Sequence, residues 1–414
     1  MSAEALPSTT VPLKRLITAM ESGVSVNAVD SCAAESEFGV LKTSCVYTGR
    51  FDSSENKTVL PEEYSRVACP VKAGALVVSR MNTPDLVGAA GYVSKDEPNL
   101  FLPDRLWQVF VDRTLADPKF VYWWTQSSLY RDQVRVACAG TSSSMQNLDQ
   151  DSFRSFGIPR LPLWQQGRIA NFLDEQTGRI DALIAEKEKL VERLHEYAHA
   201  QGDALFRARL SERGAVRLKY RCPDVTVGIV VTPAKYYVDA GVPCLRSLNV
   251  GTGVLNSDNL VYISAEANEL HAKSKIFKGD VVVVRSGKTG AAAVVTEEFN
   301  GANCIDLVII RSSEGLDPHW LRAYLNSAPA LEQVTDASEG AIQQHFNVGS
   351  ARELRIPDCA REEQADDLEA ISKIELATSA LQGHVREHID RLREYRSSLI
   401  TAAVTGRINV ESYK

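Results

Sequence analysis

Apolar residues along this chain follow two rhythms. Short β-rich runs such as Ala75-Leu-Val-Val78 and Val281–Val284, set among Gly-, Asn- and Ser-rich turns, predict strands across 10–157 and 214–355. After Ile158-Pro159 and again after Ile356-Pro357, apolar positions recur at steps of three and four with charged residues between, which predicts two long helices. The first stripe reads Ile169, Leu173, Ile180, Leu183, Leu190 and Leu194; the second reads Leu368, Ile371, Leu381 and Leu392. A mean step near 3.5 is that of a coiled-coil seam, and each helix is the best partner for the other. About 36 residues of helix span ~54 Å.

The two rhythms repeat. Ile158-Pro159 matches Ile356-Pro357, Gln166 matches Gln364, and Leu194-x-Glu196-Tyr197 matches Leu392-x-Glu394-Tyr395, all 198 residues apart. Asp117-Pro118, Gly140 and Asn147 recur 200 residues on as Asp317-Pro318, Gly340 and Asn347. Gly74-Ala-Leu-Val-Val-Ser-Arg80 faces Gly279-Asp-Val-Val-Val-Val-Arg285 at 205. A smooth drift of offset is the mark of a duplicated unit with altered loops. The predicted division is 1–157, 158–213, 214–355 and 356–414, an α+β chain of two pseudo-repeated domains separated by two long antiparallel helices.

At 414 residues, 44% apolar and 24% charged, the chain can bury several cores, and collagen-like, disordered and disulfide-scaffold readings are excluded. No apolar run is long enough to cross a bilayer and no secretory signal is visible, so a cytoplasmic protein is expected. Eight cysteines, never in a C-x-x-C pair, argue against a zinc ribbon or a thioredoxin-type site. A net charge of -7 weighs against nucleic-acid binding until its distribution is read. The helical stretches 165–210 and 361–395 carry -1 and -4 of it, leaving two nearly neutral domains free to present basic faces.

Several catalytic patterns are incomplete. His195-Glu196-Tyr197-Ala198-His199 satisfies H-E-x-x-H, the zinc-peptidase spacing, yet it falls inside the predicted seam with no evident cleft or third ligand. The repeat replaces both histidines with Arg393 and Ser397. Gly287-Lys288-Thr289 resembles the end of a P-loop, but Val282 stands where the first glycine belongs. No metal site and no catalytic residue are expected. A zinc metallopeptidase and a pure coiled-coil scaffold are the competing readings, the first separable by metal content and the second by salt-dependent DNA affinity.

Polar turns are the better candidates. Lys42, Thr43 and Ser44 mirror Arg246, Ser247 and Asn249; Arg80, Asn82 and Thr83 mirror Arg285, Ser286, Lys288 and Thr289. In each, a β-like run ends in a cation followed by hydroxyl or amide residues. Arginine forks suit guanine or phosphate, Asn suits adenine, and hydroxyls grip phosphates.

In this order, and duplicated, these motifs resemble the specificity subunits of type I restriction–modification systems over essentially the full length. The resemblance is carried by Ile158-Pro-Arg-Leu-Pro-Leu-Trp-Gln-Gln166, Gly241-Val-Pro-x-Leu-Arg246, Gly279-Asp280-Val…Arg285-Ser-Gly287, Asp306-Leu-x-x-Ile-Arg311 and Leu399-Ile-Thr-Ala-Ala-Val-Thr-Gly406-Arg-Ile408. The first unit departs from the pattern at Thr83-Pro84-Asp85 and Trp107-Gln-Val-Phe110. The resemblance implies two target recognition domains, each reading one half of an asymmetric bipartite DNA site, with the helices as a ruler. It implies two methyltransferase subunits, which bind S-adenosylmethionine, and restriction subunits that use ATP and Mg. A specificity subunit serving a stand-alone adenine methyltransferase fits the same residues.

Overall fold

In the computed structural model the described residues are 9–138, 145–287, 289–336 and 346–410. The chain divides into two compact units: Met1–Glu188 with Glu387–Lys414, and Lys189–Arg386.

Each unit is built on the same four-stranded antiparallel sheet. In unit 1 the strand order is Ile17–Ser22, Leu106–Val111, Leu76–Ser79, Ala90–Tyr92. In unit 2 it is Val225–Val227, Leu307–Ile310, Val281–Val284, Ala292–Val294. Alternation along the strands splits each sheet between two cores. Val281 and Val283 face a core with Trp320, Tyr324 and Phe206. Val282 and Val284 face a second one with Leu245, Ile276 and Cys304. Trp107 and Val109 pack with Phe120 and Tyr130, whereas Leu106 and Val77 pack with Leu41 and Cys45. Four consecutive buried valines therefore read as an unbroken apolar run because both faces of the strand are covered.

The Asp-Pro repeat marks the start of a helix. Asp117 caps Pro118–Thr125, its carboxylate accepting from the backbone N–H groups of Lys119 and Phe120. Asp317 does the same for Pro318–Leu325 through His319 and Trp320. Proline suits the first helical position because its missing N–H would be unpaired there. The ends of each head are held together by paired strands: Thr10–Pro12 with Gly157–Pro159, and Ala215–Arg217 with Arg355–Pro357.

The two long helices are Leu163–Arg213, 51 residues, and Arg361–Val404, 44 residues, both longer than the predicted 36-residue stripe. Within unit 1, Arg396 pairs with Asp181 at 2.8 Å and Arg393 with Glu188 at 2.9 Å. Within unit 2, Gln382 Nε2 donates to the Val191 carbonyl and Arg209 pairs with Asp367, while Arg213 meets Glu363. In each unit one number falls as the other rises, so the helices run antiparallel.

The seam itself needs correction. Ile169 and Leu173 are buried in the core of the first head, alongside Phe120 and Trp124. Ile180 is buried, and Leu194, Leu368, Ile371 and Leu392 are half-buried. Leu183, Leu190 and Leu381 are 46%, 41% and 47% exposed. The more buried stripe passes through Thr177, Ile180, Ile184 and Val191 on one helix and through Thr378, Gln382, Val385 and Ile389 on the other. The three exposed leucines stand one residue, about 100°, off that stripe. Buried threonines and a half-buried glutamine at seam positions hid it from an apolar count.

Candidate nucleic-acid interface

In unit 1 the two predicted polar turns come together. Strand Gly39–Leu41 runs into Lys42 and the short helical turn Thr43–Val46. Lys42 pairs with Asp30, which also holds Lys57. This clamp, through hydrogen bonds from both lysines, lowers the Asp30 carboxyl below its ordinary range. Ser44 donates to Glu55 at 2.5 Å. The Thr43 hydroxyl bonds the Tyr47 hydroxyl at 2.8 Å, and Tyr47 in turn accepts from Asn82 Nδ2 at 2.9 Å. Thr83 donates its backbone N–H to Asn82 Oδ1. Tyr47 thus links the first turn to the second. The Arg80 guanidinium lies over the Trp107 ring, 6.0 Å from its centroid, a cation–π arrangement.

Unit 2 repeats the plan with different anchors. Strand Val242–Leu245 ends in Arg246, whose Nη2 donates to the Asn259 carbonyl at 2.7 Å. Asp306 gathers the second turn: it accepts from Arg285 Nη1 at 2.7 Å and from the Ser286 hydroxyl at 2.9 Å. Its φ of 53° is a left-handed conformation that aspartate tolerates better than most residues. The turns meet because the preceding Ile305 donates its N–H to the Leu245 carbonyl. Gly287 and Gly290 have φ near 90°, and a Cβ on Gly290 would lie 2.7 Å from Leu331. Ser247 and Thr289 are half-buried in their turns; Lys288 lies outside the described residues, as do Gly140 and Gly340.

Asn249 departs from its expected role as an adenine reader. It is 0% exposed, its Oδ1 accepts from Arg246 N, and its Nδ2 donates to the Asn256 and Asp258 carbonyls. An amide with both ends occupied shapes the turn and offers no edge to a base. Asn82, also buried, is tied to Tyr47 and Ser79. Asp280, which is buried, and the half-buried Arg311 form an ion pair at 2.6 Å. Asp280 also accepts from Phe277 N and Ser312 N, so this pair is scaffold.

The carboxylates that anchor these turns, Asp30, Glu55 and Asp306, were not among the predicted site residues. An acidic residue far away in sequence carries no local signal. Only Asp306 stood in a quoted motif.

His195 and His199 correct another expectation. Their rings meet edge to face, 4.5 Å apart, and they line a cavity of about 270 Å³ in unit 2, where no cleft was expected. Among the described residues, no group of three or more His, Cys, Asp or Glu is arranged to hold a metal ion, and no helix is long and apolar enough to cross a membrane.

A mixed sheet-and-helix unit, present twice and joined to antiparallel helices with anchored basic turns, defines a duplicated α+β fold. The chain is 21% identical over 300 residues to the Escherichia coli type I restriction enzyme EcoBI specificity subunit, covering 66% of this chain and 63% of that protein. It is 20% identical over 312 residues to the EcoKI specificity subunit of Escherichia coli strain K12, covering 70% and 66%. The match therefore spans just under two thirds of these relatives' length. A chain from a solved structure of type I restriction–modification complex assembly and conformational transition superposes with a TM-score of 0.67, at 17% identity, covering 98% of this chain and 100% of that one. No family model matches. In sequence the chain is similar to type I restriction enzyme specificity subunits, and in fold to a chain of a type I restriction–modification system.

Proposed function

We propose that this chain is the non-catalytic, sequence-specific DNA-recognition subunit of a type I restriction–modification complex. Each head reads one half of an asymmetric bipartite target. The paired helices set the spacing and dock two methyltransferase subunits, which bring S-adenosylmethionine; restriction subunits bring ATP and Mg. The observation that supports this reading best is the duplication: one sheet topology twice, each with two basic turns joined at its edge but with different side chains. Unlike heads suit unlike half-sites, and the division into 1–157, 158–213, 214–355 and 356–414 assigns each head its own stretch of chain.

The proposed contacts are Lys42, Thr43, Ser44, Arg80 and Thr83 in the first head, and Arg246, Ser247, Arg285, Ser286, Lys288 and Thr289 in the second. Asp306 holds Arg285 by one edge, which fixes the guanidinium in place while leaving N–H groups for a base edge or a phosphate. The test is methylome sequencing of a strain expressing this chain with its methyltransferase, alongside Arg285→Ala. A split asymmetric motif is expected, and Arg285→Ala should weaken specific binding by ~1–3 kcal/mol and relax one half only. Absence of any methylated motif would overturn the function. Equal loss on every DNA sequence would reduce Arg285 to a phosphate contact.

A further inference from the structure

The cavity in unit 2 gains meaning from the repeat. In unit 1 the space between helix Pro118–Thr125 and the long helices is plugged. Trp123 fills it, its Nε1 donating to Asp174 at 2.9 Å. Arg396 lies over the Trp123 ring, 6.0 Å from its centroid, and is pinned by Asp181, which also holds Arg50. On either side of this plug a separate cleft remains, one beside Lys119 and Trp123, the other beside Gln126 and Ser397.

In unit 2 the plug is missing. At the same repeat offsets, Trp123 becomes Ala323, Arg396 becomes Ala198 and Asp181 becomes Ser379, and all three line the cavity. Counterparts of residues from both flanking clefts, Glu375 for Thr177 and Asn326 for Gln126, line one continuous space of about 270 Å³. A void of ~150 Å³ already accommodates benzene in a protein interior, so a two-ring molecule fits here.

The lining sets the chemistry. Arg322 replaces Tyr122 and is steadied by the Gly253 carbonyl at 3.3 Å; a Cβ on Gly253 would lie 2.7 Å from its Nη1. Among the described residues Arg322 has no carboxylate partner, and only its Nη1 is engaged, by that carbonyl. Glu375 and Asp203 supply acceptors to the same cavity, and the His195 and His199 rings form part of its wall. The geometry points to a binding site for a planar, two-ring nitrogen heterocycle that offers a ring acceptor to Arg322 and an N–H to a carboxylate. The plug's indole shows the ring size; the guanidinium of Arg322, with no carboxylate beside it, asks for the acceptor that indole lacks.

The probes are benzimidazole, which has both groups, and its isostere indole, which has only the N–H. Calorimetry on the full chain should show benzimidazole binding 1:1 with Kd of the order of 1 mM or tighter, and at least fivefold more tightly than indole. Ala323→Trp, which restores the plug, should weaken benzimidazole at least tenfold. Should that variant not fold, proton spectra of the seven histidines decide in the wild type: benzimidazole should shift His195 and His199, assigned through His195→Gln and His199→Gln. No saturable binding, binding unchanged in Ala323→Trp, equal affinity for the two probes, or shifts confined to other histidines would overturn the site.

Discussion

Replacing Gln364 with alanine should loosen the second head from its helix. Gln364 is 1% exposed and serves three backbone groups. Its Oε1 accepts from Asp317 N at 2.7 Å, and its Nε2 donates to the Gly315 and Cys359 carbonyls, each at 3.1 Å. Each bond contributes ~1 kcal/mol net, and each buried group left unpaired costs ~1–3 kcal/mol. Allowing water to reach one of the three, the loss is about 3–5 kcal/mol. A chain of two units does not unfold in one step, so the suitable assay is local: amide hydrogen exchange over 317–325, which should accelerate by two to almost four powers of ten. Gln364→Met keeps the volume and removes the bonds, so most of the effect should persist. Acceleration below tenfold in both variants would refute the clamp. Gln166, whose Oε1 accepts from Asp117 N at 2.9 Å, should give the same result over 117–125.

Other outcomes follow from single contacts. Asp367→Ala leaves Arg209 only Glu212, at 3.8 Å, and removes the acceptor of the buried Trp320 Nε1, so urea unfolding of unit 2 should be easier by ~1–3 kcal/mol, with the emission of Trp320 altered. Gly228→Ala places a Cβ 2.6 Å from the Cys304 carbonyl oxygen and should lower stability by ~1–3 kcal/mol, read as a lower melting temperature. Of the eight cysteines only Cys32 is exposed. Thiol labelling at pH 8 should therefore modify it first, with Cys69 slow because burial, then Glu21, pushes its thiol up to about 12. Hydrogen bonds from the Ser152 side chain and then its backbone N–H hold Asp149 below its ordinary 3.8. The advantage of wild type over Asp149→Asn should thus be present above pH ~4 and vanish as pH falls through the lowered value, measured by thermal melts across an acid series.

The repeat, the strand-to-helix change at each Ile-Pro and the Asp-Pro helix starts were legible because each leaves a local pattern. The seam was only partly so: Leu183 and Leu190 keep a seven-residue spacing, yet Thr177 and Gln382 occupy positions of the more buried stripe that hydropathy passes over. The basic turns were found as sequence, but their organisation was not. Tyr47 joins Thr43 to Asn82, and Asp306 joins Arg285 to Ser286, over separations that only the sheet brings close. Asn249 misled for the same reason, since an exposed asparagine and one saturated by a turn look alike in a string of letters. The cavity beside His195 was invisible because it arises from what Ala323 and Ala198 lack.

The latch made by Thr10–Pro12 with Gly157–Pro159, and its twin of Ala215–Arg217 with Arg355–Pro357, bears on inheritance. A domain whose two termini are hydrogen-bonded side by side can be cut out of a gene and replaced by a cousin of different length, because the splice points keep their separation whatever lies between. On the proposed function, recombination at these two short stretches would produce new address codes in one step, where point mutation would have to pass through intermediates that read nothing.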